Sequence, residues 1–160
     1  MSLLIELVQA PTDEARALIE ELEAELSADY TAQQRHGLNA SRIFQPDILF
    51  FIARLDGRPV GCGGIAVEGA LAEVKRMYVR PQNRGGGIGS AILARLETEA
   101  LARGVTRLVL ETGDVLHPAI CLYEAAGFRR CSAFGAYLAM APAAIQRSVF
   151  MEKRLDSSDA

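Results

Sequence analysis

A glycine-rich stretch, residues 84–89, stands between a strand pattern and a helix pattern, and it limits the possible folds more than any other feature. Residues 71–79 form a β-prone run that a proline ends. An apolar stripe at helical spacing then extends over residues 88–103, and a glycine follows it, as is typical of a helix end. Residues 107–110 form a second apolar strand. This order predicts a βαβ crossover whose two strands are parallel.

The position of this glycine turn favours an anion-binding site. A backbone without side chains can approach a ligand closely, and the first N–H groups of a helix attract negative charge. A pyrophosphate suits the turn best, because several N–H donors match several oxygens and Arg84 adds a planar positive group. The same turn could also be a tight corner that binds nothing.

Two well-known phosphate loops do not match the turn. A Walker loop needs a lysine after its last glycine, and neither lysine of the chain follows a glycine. The dinucleotide pattern G-x-G-x-x-G aligns with Gly85 and Gly87 but meets Ser90 instead of the third glycine. Several predicted antiparallel strands also precede the turn, whereas the dinucleotide turn follows the first strand. A dinucleotide-binding oxidoreductase stays open as an alternative, since Glu111 lies at a suitable distance for a ribose contact.

The elements before the turn are predicted to be mainly antiparallel strands and one long helix. Residues 3–8 form a first strand, and Thr12 is a good N-cap for the helix that follows. Residues 49–54 and 59–67 flank an Asp-Gly pair and predict a β-hairpin. Residues 30–45 are polar and poorly periodic, and we interpret them as a short helix or a loop that forms a substrate lip.

The elements after the crossover complete the predicted domain. A helix is expected over residues 118–126, with Pro at its first position and Gly-Phe after its end. Strands are expected over residues 129–134 and 148–152. We expect one domain over residues 1–155 and a frayed polar tail over residues 156–160.

Composition excludes several functional classes. The chain has 160 residues, a net charge of −3 and three cysteines without C-x-x-C spacing, and its pI is about 5.4. An acidic chain does not favour a nucleic-acid partner, and we find no apolar run of membrane-spanning length. The cysteines and the two histidines have no metal-ligand spacing, so no metal is expected. Without a basic leader pattern, we expect a cytoplasmic protein.

Two motifs resemble those of a known family. Residues 77–89 read Met-Tyr-Val-Arg-Pro-Gln-Asn-Arg-Gly-Gly-Gly-Ile-Gly, a strand followed by Arg-x-x-Gly-x-Gly. Residues 119–128 form a helix that carries Leu-Tyr and ends in Gly-Phe. Both motifs, in this order, resemble the GNAT superfamily of acetyl-CoA-dependent N-acetyltransferases. The resemblance implies an α/β fold with a mixed, mainly antiparallel sheet that is flanked by helices and splayed between strands ending at Val79 and Glu111.

The resemblance also implies where acetyl-CoA, the cosubstrate, binds. The pantetheine arm would lie in the splayed gap against the strand residues Met77, Tyr78 and Val79. Arg84 and main-chain amides would bind the pyrophosphate, the amides being those of Gly85, Gly86, Gly87, Ile88, Gly89 and Ser90. His117 stands where many members carry an Asn, and it either bonds the cofactor in that residue's place or caps the helix.

Catalytic roles follow from the same resemblance. Tyr123 becomes the general acid that protonates the departing thiolate, because a phenol with a pKa near 10 can protonate a thiolate whose thiol has a pKa of about 8.5. Without the motif, Tyr123 would be interpreted as a packing residue. The general base is either Glu73 or Glu111, or else water relays the proton to the solvent. Either carboxylate could instead serve only in an ion pair.

The sequence therefore predicts acetyl transfer to a primary amine of a small molecule. Strand alternation places Lys75 and Arg76 on opposite faces, and we hypothesise that Arg76 grips an acceptor carboxylate, with Arg42 as a second candidate. An ion pair of Arg76 with a nearby carboxylate is the alternative. The remaining alternatives are an acyl-CoA sensor without turnover and an interaction module that uses the acidic helix of residues 12–25. A homodimer is expected only by family resemblance.

Overall fold

A seven-stranded sheet forms the centre of the computed structural model, which describes residues 2–37 and 42–155. The strands are β1 (Leu3–Leu7), β2 (Ile48–Leu55), β3 (Arg58–Glu68), β4 (Leu71–Val79), β5 (Arg107–Gly113), β6 (Arg129–Arg130) and β7 (Ser148–Arg154). The helices are α1 (Asp13–Leu26), α2 (Ile88–Ala102), α3 (His117–Ala125) and the short α4 (Pro142–Ile145). None of the helices in the described ranges is long and apolar enough to cross a membrane.

The sheet is mixed, as the sequence predicts. Its strand order is β1-β2-β3-β4-β5-β7-β6, and each neighbouring pair is antiparallel except β4 and β5. The β2–β3 hairpin turns at Asp56 and Gly57, which both have positive φ, as the Asp-Gly signal requires. The parallel pair β4–β5 is joined through α2, so the predicted βαβ crossover is confirmed.

The parallel pair separates soon after it begins. Only Leu71–Glu73 pair with Arg107–Val109, although β4 continues to Val79 and β5 to Gly113. Beyond these three residues the two strands form no ladder, so a gap opens in the middle of the sheet. This gap is the splay that the resemblance implies.

A β-bulge interrupts β4 at Arg76, whose φ is +58°. The register with β3 shifts there, because Cys62 lies opposite Tyr78 but Gly64 lies opposite Lys75. An extra residue reverses the side-chain alternation of the strand that follows it. The prediction that Lys75 and Arg76 lie on opposite faces is therefore wrong: the Lys75 ammonium bonds the carbonyl of His36, and the Arg76 guanidinium lies against the adjacent Gly37.

Two cores cover the two faces of the sheet. The helix α2 packs on one face, where its buried side chains join a cluster that includes Ile65 and Leu110. The helix α1 packs on the other face with Leu18 and Ile52 in its core. Thr12 is the N-cap of α1, as predicted, and its hydroxyl accepts a hydrogen bond from the Ala15 N–H at 3.2 Å.

Four glutamates of α1 face arginines of the sheet and its loops. Their pairing ties α1 to the sheet, so these four carboxylates are engaged within the domain. The ion pairs are Glu14–Arg54 at 2.6 Å, Glu21–Arg80 at 2.8 Å, Glu23–Arg76 at 2.6 Å and Glu25–Arg84 at 2.7 Å.

Two predicted segments differ in the structure. The strand β6 ends at Arg130 instead of residue 134, because Phe134 turns into a buried cluster with Tyr137 and Phe150. The segment of residues 30–45 contains one short 3₁₀ turn, Ala32–Gln34. Residues 38–41 of this segment and the predicted tail, residues 156–160, lie outside the described part of the chain.

Candidate active site

A cleft of about 700 Å³ opens where β4 and β5 separate. It extends from the glycine turn to the segment that follows α1. The predicted site residues that line it are Glu73, Arg76, Met77, Tyr78, Val79, Arg84, Gly85, Gly87, Ile88, Gly89, Ser90, Glu111 and Tyr123. Three others, Gly86, His117 and Arg42, are not part of its lining.

The glycine turn adopts backbone conformations that suit glycine. Gly85 and Gly87 have φ of +82° and +86°, and Gly87 is the N-cap of α2. A side chain in this left-handed region costs roughly 1–2 kcal/mol per residue. Because the first turn of α2 begins here without a side-chain cap, its N–H groups are available to an anion. The turn therefore fits a pyrophosphate group.

Gly89 has a different reason to be glycine. A Cβ at this position would lie 2.9 Å from Cδ2 of Leu122 on α3 and 3.8 Å from Val79. The absence of a side chain lets α2 approach α3 closely. Since the next residue of α3 is Tyr123, this approach helps to fix that tyrosine beside the cleft.

Arg84 is held in place above the end of β4. Its Nε donates a hydrogen bond to the Val79 carbonyl at 2.7 Å, and its Nη2 donates to both carboxylate oxygens of Glu25, at 2.7 and 3.0 Å. Glu25 compensates much of this positive charge. The anion-binding character of this edge therefore rests mainly on the main-chain N–H groups of the turn.

Tyr123 lines the cleft from α3 and is 7% exposed. Its ring packs edge-on against Phe128, with 6.0 Å between the ring centres. Burial, and secondly the charge of Glu111, raise the pKa of Tyr123 above its ordinary value of 10. Among the described residues its hydroxyl has no hydrogen-bond acceptor. Tyr123 therefore keeps its proton at neutral pH and presents it to the cleft.

Glu111 faces the same gap from β5. Burial raises the pKa of Glu111 from 4.5 to about 7, and the charge of Glu73 acts in the same direction. The Ser148 hydroxyl, which donates a hydrogen bond of 2.6 Å to its Oε2, and the charge of Lys75 oppose this rise. A carboxyl group with a pKa near 7 is about half ionised at neutral pH and can accept a proton there.

Glu73 has very different surroundings from Glu111. Its Oε2 accepts a hydrogen bond from the Tyr137 hydroxyl at 2.7 Å and lies 3.0 Å from the Lys75 ammonium. The ammonium also donates to the Tyr137 oxygen at 3.1 Å and to the His36 carbonyl at 3.0 Å. Burial, then the charge of Glu73, raise the pKa of Tyr137 above its ordinary value. Glu73 is thus held as one member of a bonded network.

The other end of the cleft is closed by contacts around Tyr30, which is buried. Its hydroxyl donates to Asp114 at 3.1 Å and accepts the Val115 N–H at 3.0 Å. Arg147 pairs with Asp114 at 3.0 Å and stacks 4.5 Å above the Tyr30 ring. The hydroxyl fills the space that a Cβ at Gly113 would need. These contacts tie the segment after α1 to the end of β5.

The predicted acceptor residues lie in two different environments. Arg76 lines the cleft, and its Nη1 lies 2.6 Å from Glu23. Arg42 is half-exposed and lies 3.9 Å from Asp47, away from the cleft lining. His117 is the first residue of α3.

The sequence predictions missed Tyr30, Arg35, Tyr137 and Ser148. Each of these residues lies in a segment that carries no recognised motif. The hydrogen-bond partners of Tyr30, Tyr137 and Ser148 are 37 to 85 residues away in the chain, and the partner of Arg35 is five residues away. A polar side chain in an irregular segment gives no periodic signal. The interpretation of residues 30–45 as a substrate lip covered Tyr30 and Arg35 without giving either a role, and Ser148 lay in a predicted strand whose neighbour was not assigned.

Comparison with known proteins identifies the family. Residues 12–128 match the model of the acetyltransferase (GNAT) family. An IAA acetyltransferase of Azospirillum brasilense is 46% identical over 140 residues, which cover 86% of this chain and 88% of that protein. The uncharacterized N-acetyltransferase YsnE of Bacillus subtilis is 32% identical over 123 residues, covering 75% and 78% of the two chains.

Solved structures agree with this result. A Klebsiella pneumoniae crystal structure described as an acyl-CoA N-acyltransferase superposes with a TM-score of 0.77 at 36% identity, covering 96% of this chain and 98% of that one. The PaiA N-acetyltransferase of Thermoplasma acidophilum, solved with coenzyme A, shares the fold with a TM-score of 0.74 at 19% identity, covering 97% and 100%. The chain thus belongs to the acetyltransferase (GNAT) family, and it is an acyltransferase whose cosubstrate is acetyl-CoA.

Proposed function

We propose that this chain transfers the acetyl group of acetyl-CoA to the primary amine of a small molecule, by direct attack of the amine on the thioester. The observation that carries the proposal is the pair of groups at the gap between β4 and β5. Glu111, with a pKa of about 7, and the protonated Tyr123 line the same cleft. Environments that separate two pKa values in this way suit a base and an acid.

The cosubstrate would occupy the side of the cleft that ends at the glycine turn. The N–H groups at residues 85–90 would bind the pyrophosphate, with Arg84 beside them. The pantetheine arm would lie along β4 at Met77, Tyr78 and Val79, where the missing ladder leaves main-chain groups facing the gap. Gly86 and His117 do not line the cleft. Gly86 would contribute only its main-chain N–H to the turn, and His117 would act only through the shape of the first turn of α3.

Glu111 would be the general base. An acceptor amine with a pKa near 10 arrives as an ammonium ion and must lose a proton before its nitrogen can attack. Glu111 takes that proton, since Glu73 already accepts from Tyr137 and contacts Lys75. As the C–N bond forms and the C–S bond breaks, Tyr123 donates its proton to the sulfur; the Tyr123 phenolate then takes the second proton from the acylated nitrogen, and Glu111 returns its proton to the solvent. The products are the N-acetylated acceptor and free CoA.

The relatives support a small acceptor. The relative with 46% identity is named as an acetyltransferase of IAA, a small molecule. The cleft is also bounded by the buried side chains of Tyr30 and Tyr137, and its volume of about 700 Å³ is typical of a small-molecule site.

Thiol release from acetyl-CoA over a panel of amines tests the proposal. At least one small primary amine should release thiol in proportion to N-acetyl product. Tyr123→Phe keeps the ring and removes the proton, so kcat should fall at least tenfold while acetyl-CoA affinity, measured by calorimetry, stays within twofold. A chain that binds acetyl-CoA but acetylates no amine would be a sensor, and a fully active Tyr123→Phe variant would return Tyr123 to a packing role.

A further inference from the structure

Two arginines at the cleft share one carboxylate. Arg76 Nη1 lies 2.6 Å from Glu23 Oε1, and Arg35 Nε lies 3.2 Å from Glu23 Oε2. Arg35 and Arg76 both line the cleft, whereas Glu23 approaches from α1 behind them.

Arg35 is not satisfied by this arrangement. Its Nη1 donates to the Tyr30 carbonyl at 3.2 Å, but its buried Nε is close to Glu23 without hydrogen-bonding geometry. Among the buried side-chain nitrogen and oxygen atoms of the described residues, Arg35 Nε is the one without a hydrogen bond. A second carboxylate that enters from the cleft could therefore compete with Glu23 for this guanidinium.

The chain also holds Arg76 at the cleft in a costly way. Its φ of +58° lies in the left-handed region, which a residue with a Cβ avoids. Its side chain is 4% exposed, and the guanidinium occupies the space that a Cβ at Gly37 would need. Only a glycine at position 37 allows this placement. The strained bulge in β4 thus places the Arg76 guanidinium at the wall of the cleft.

We propose that the acceptor is an amine that also bears a carboxylate, of the amino-acid class, and that Arg35 and Arg76 bind this carboxylate while the amine faces Glu111. This inference rests on the proposed acetyl transfer. A carboxylate pairs with two guanidinium groups through charge-assisted hydrogen bonds. A polyamine or an aminoglycoside would meet like charge at the same wall.

The first measurement compares kcat/KM of the wild-type chain for a panel of amino acids, their carboxamides and a polyamine. We expect the best amino acid to exceed its own carboxamide at least tenfold. If no amine releases thiol, the proposed function itself fails. If the carboxamide or the polyamine is used equally well, acetyl transfer stands and only the carboxylate site is overturned.

Variants of these residues then distinguish a role in acceptor binding from a purely structural role. Arg76→Gln and Arg35→Gln should each raise KM for the amino acid about tenfold and lower its advantage over the carboxamide. Glu23→Gln removes the competing carboxylate, so it should lower KM for the amino acid. If Arg35, Arg76 and Glu23 only stabilise the fold, all three variants should lose activity on the amino acid and on its carboxamide to the same degree. That outcome overturns the proposal.

Arg80→Gln is the matched control. Arg80 joins β4 to α1 through Glu21 at 2.8 Å, just as Arg76 does through Glu23, but it does not line the cleft. Its loss should leave the preference for acid over carboxamide unchanged. If Arg80→Gln reduces that preference as strongly as Arg76→Gln, the effect comes from the attachment of α1 and the carboxylate site is excluded.

Discussion

The two sides of the cleft are built in different ways. We propose that the cofactor binds along residues 77–90, the cofactor side. This side is one continuous segment in which a strand end, two left-handed glycines and a helix start follow one another. The side that we propose for the acceptor, the acceptor side, joins Tyr30, Arg35, Arg76 and Tyr137, whose contacts connect α1, β4, the end of β5 and the segment before β7.

This difference has a physical origin and a functional consequence. Main-chain N–H groups recognise a phosphate whatever the neighbouring side chains are, so a short backbone pattern is sufficient on the cofactor side. An acceptor must be distinguished by its own groups, which requires side chains held by long-range packing. Substitutions on the cofactor side should therefore change coenzyme A affinity, and substitutions on the acceptor side should change KM for the acceptor. Glu111 lies between the two sides.

The largest effect is expected at Glu111, which we propose as the general base and which belongs to neither binding side. Glu111→Gln should lower kcat/KM about 100-fold, the range typical of a lost general base. In the wild type, kcat/KM should rise as the pH rises through about 7, because Glu111 accepts a proton only when ionised. The variant should lose that limb of the pH profile.

Glu73→Gln is the matched comparison for this prediction. Since Tyr137 and Lys75 already bond Glu73, its loss should cost less than tenfold in kcat/KM and leave the limb near pH 7 in place. An unaltered pH profile in Glu111→Gln, together with a larger loss in Glu73→Gln, would assign the base to Glu73. An unaltered profile in both variants would favour a water relay.

The next effect concerns the cofactor side alone. Gly89→Val places a side chain against Leu122 and Val79, pushing α2 away from α3 at the glycine turn. Coenzyme A affinity should fall more than tenfold, a loss above about 1.4 kcal/mol by calorimetry, because the turn no longer presents its N–H groups together. Thr98→Val, on an exposed position of α2, is the control and should keep its affinity. Unchanged affinity in Gly89→Val would separate the turn from cofactor binding.

The smallest effect concerns the acceptor side alone. Tyr30→Phe removes the hydroxyl that bonds Asp114 and the Val115 N–H but keeps the ring under Arg147. KM for the acceptor should rise about threefold to tenfold, since a lost hydrogen bond costs about 1 kcal/mol and the two bonds of this hydroxyl are only partly buried. Coenzyme A affinity should not move. Ser27→Ala, which removes a hydroxyl bond within the end of α1, controls for a general loosening of that segment. A change in coenzyme A affinity would mean that the two sides are not independent.

Much of the fold could be predicted because its signals are local. The Asp-Gly hairpin, the Thr12 cap of α1 and the helix after the glycine turn depend on residues a few positions apart. The predicted crossover between β4 and β5 follows from the order of elements, and the structure confirms it. Strand β4 even has the predicted bounds, Leu71–Val79.

The errors lie where tertiary contacts override a local pattern. The bulge at Arg76 occurs inside a run that reads as a regular strand, so alternation predicted the wrong face. The strand β6 ends early because Phe134 packs in a cluster with Tyr137 and Phe150. No partner for the glutamates of α1 is visible in the sequence, because the arginines that meet them come from β2, β4 and the loop after β4.

The sequence by itself determined the mixed sheet and the position of the glycine turn, and it offered Tyr123, Glu73 and Glu111 as catalytic candidates, since these follow from short motifs and their order. Tertiary structure decided which carboxylate is buried with a raised pKa and which is bonded to Tyr137 and Lys75. It also decided that Arg35 and Arg76 meet at Glu23. A pKa and a binding surface depend on groups distant in the chain, and only the folded packing brings those groups together.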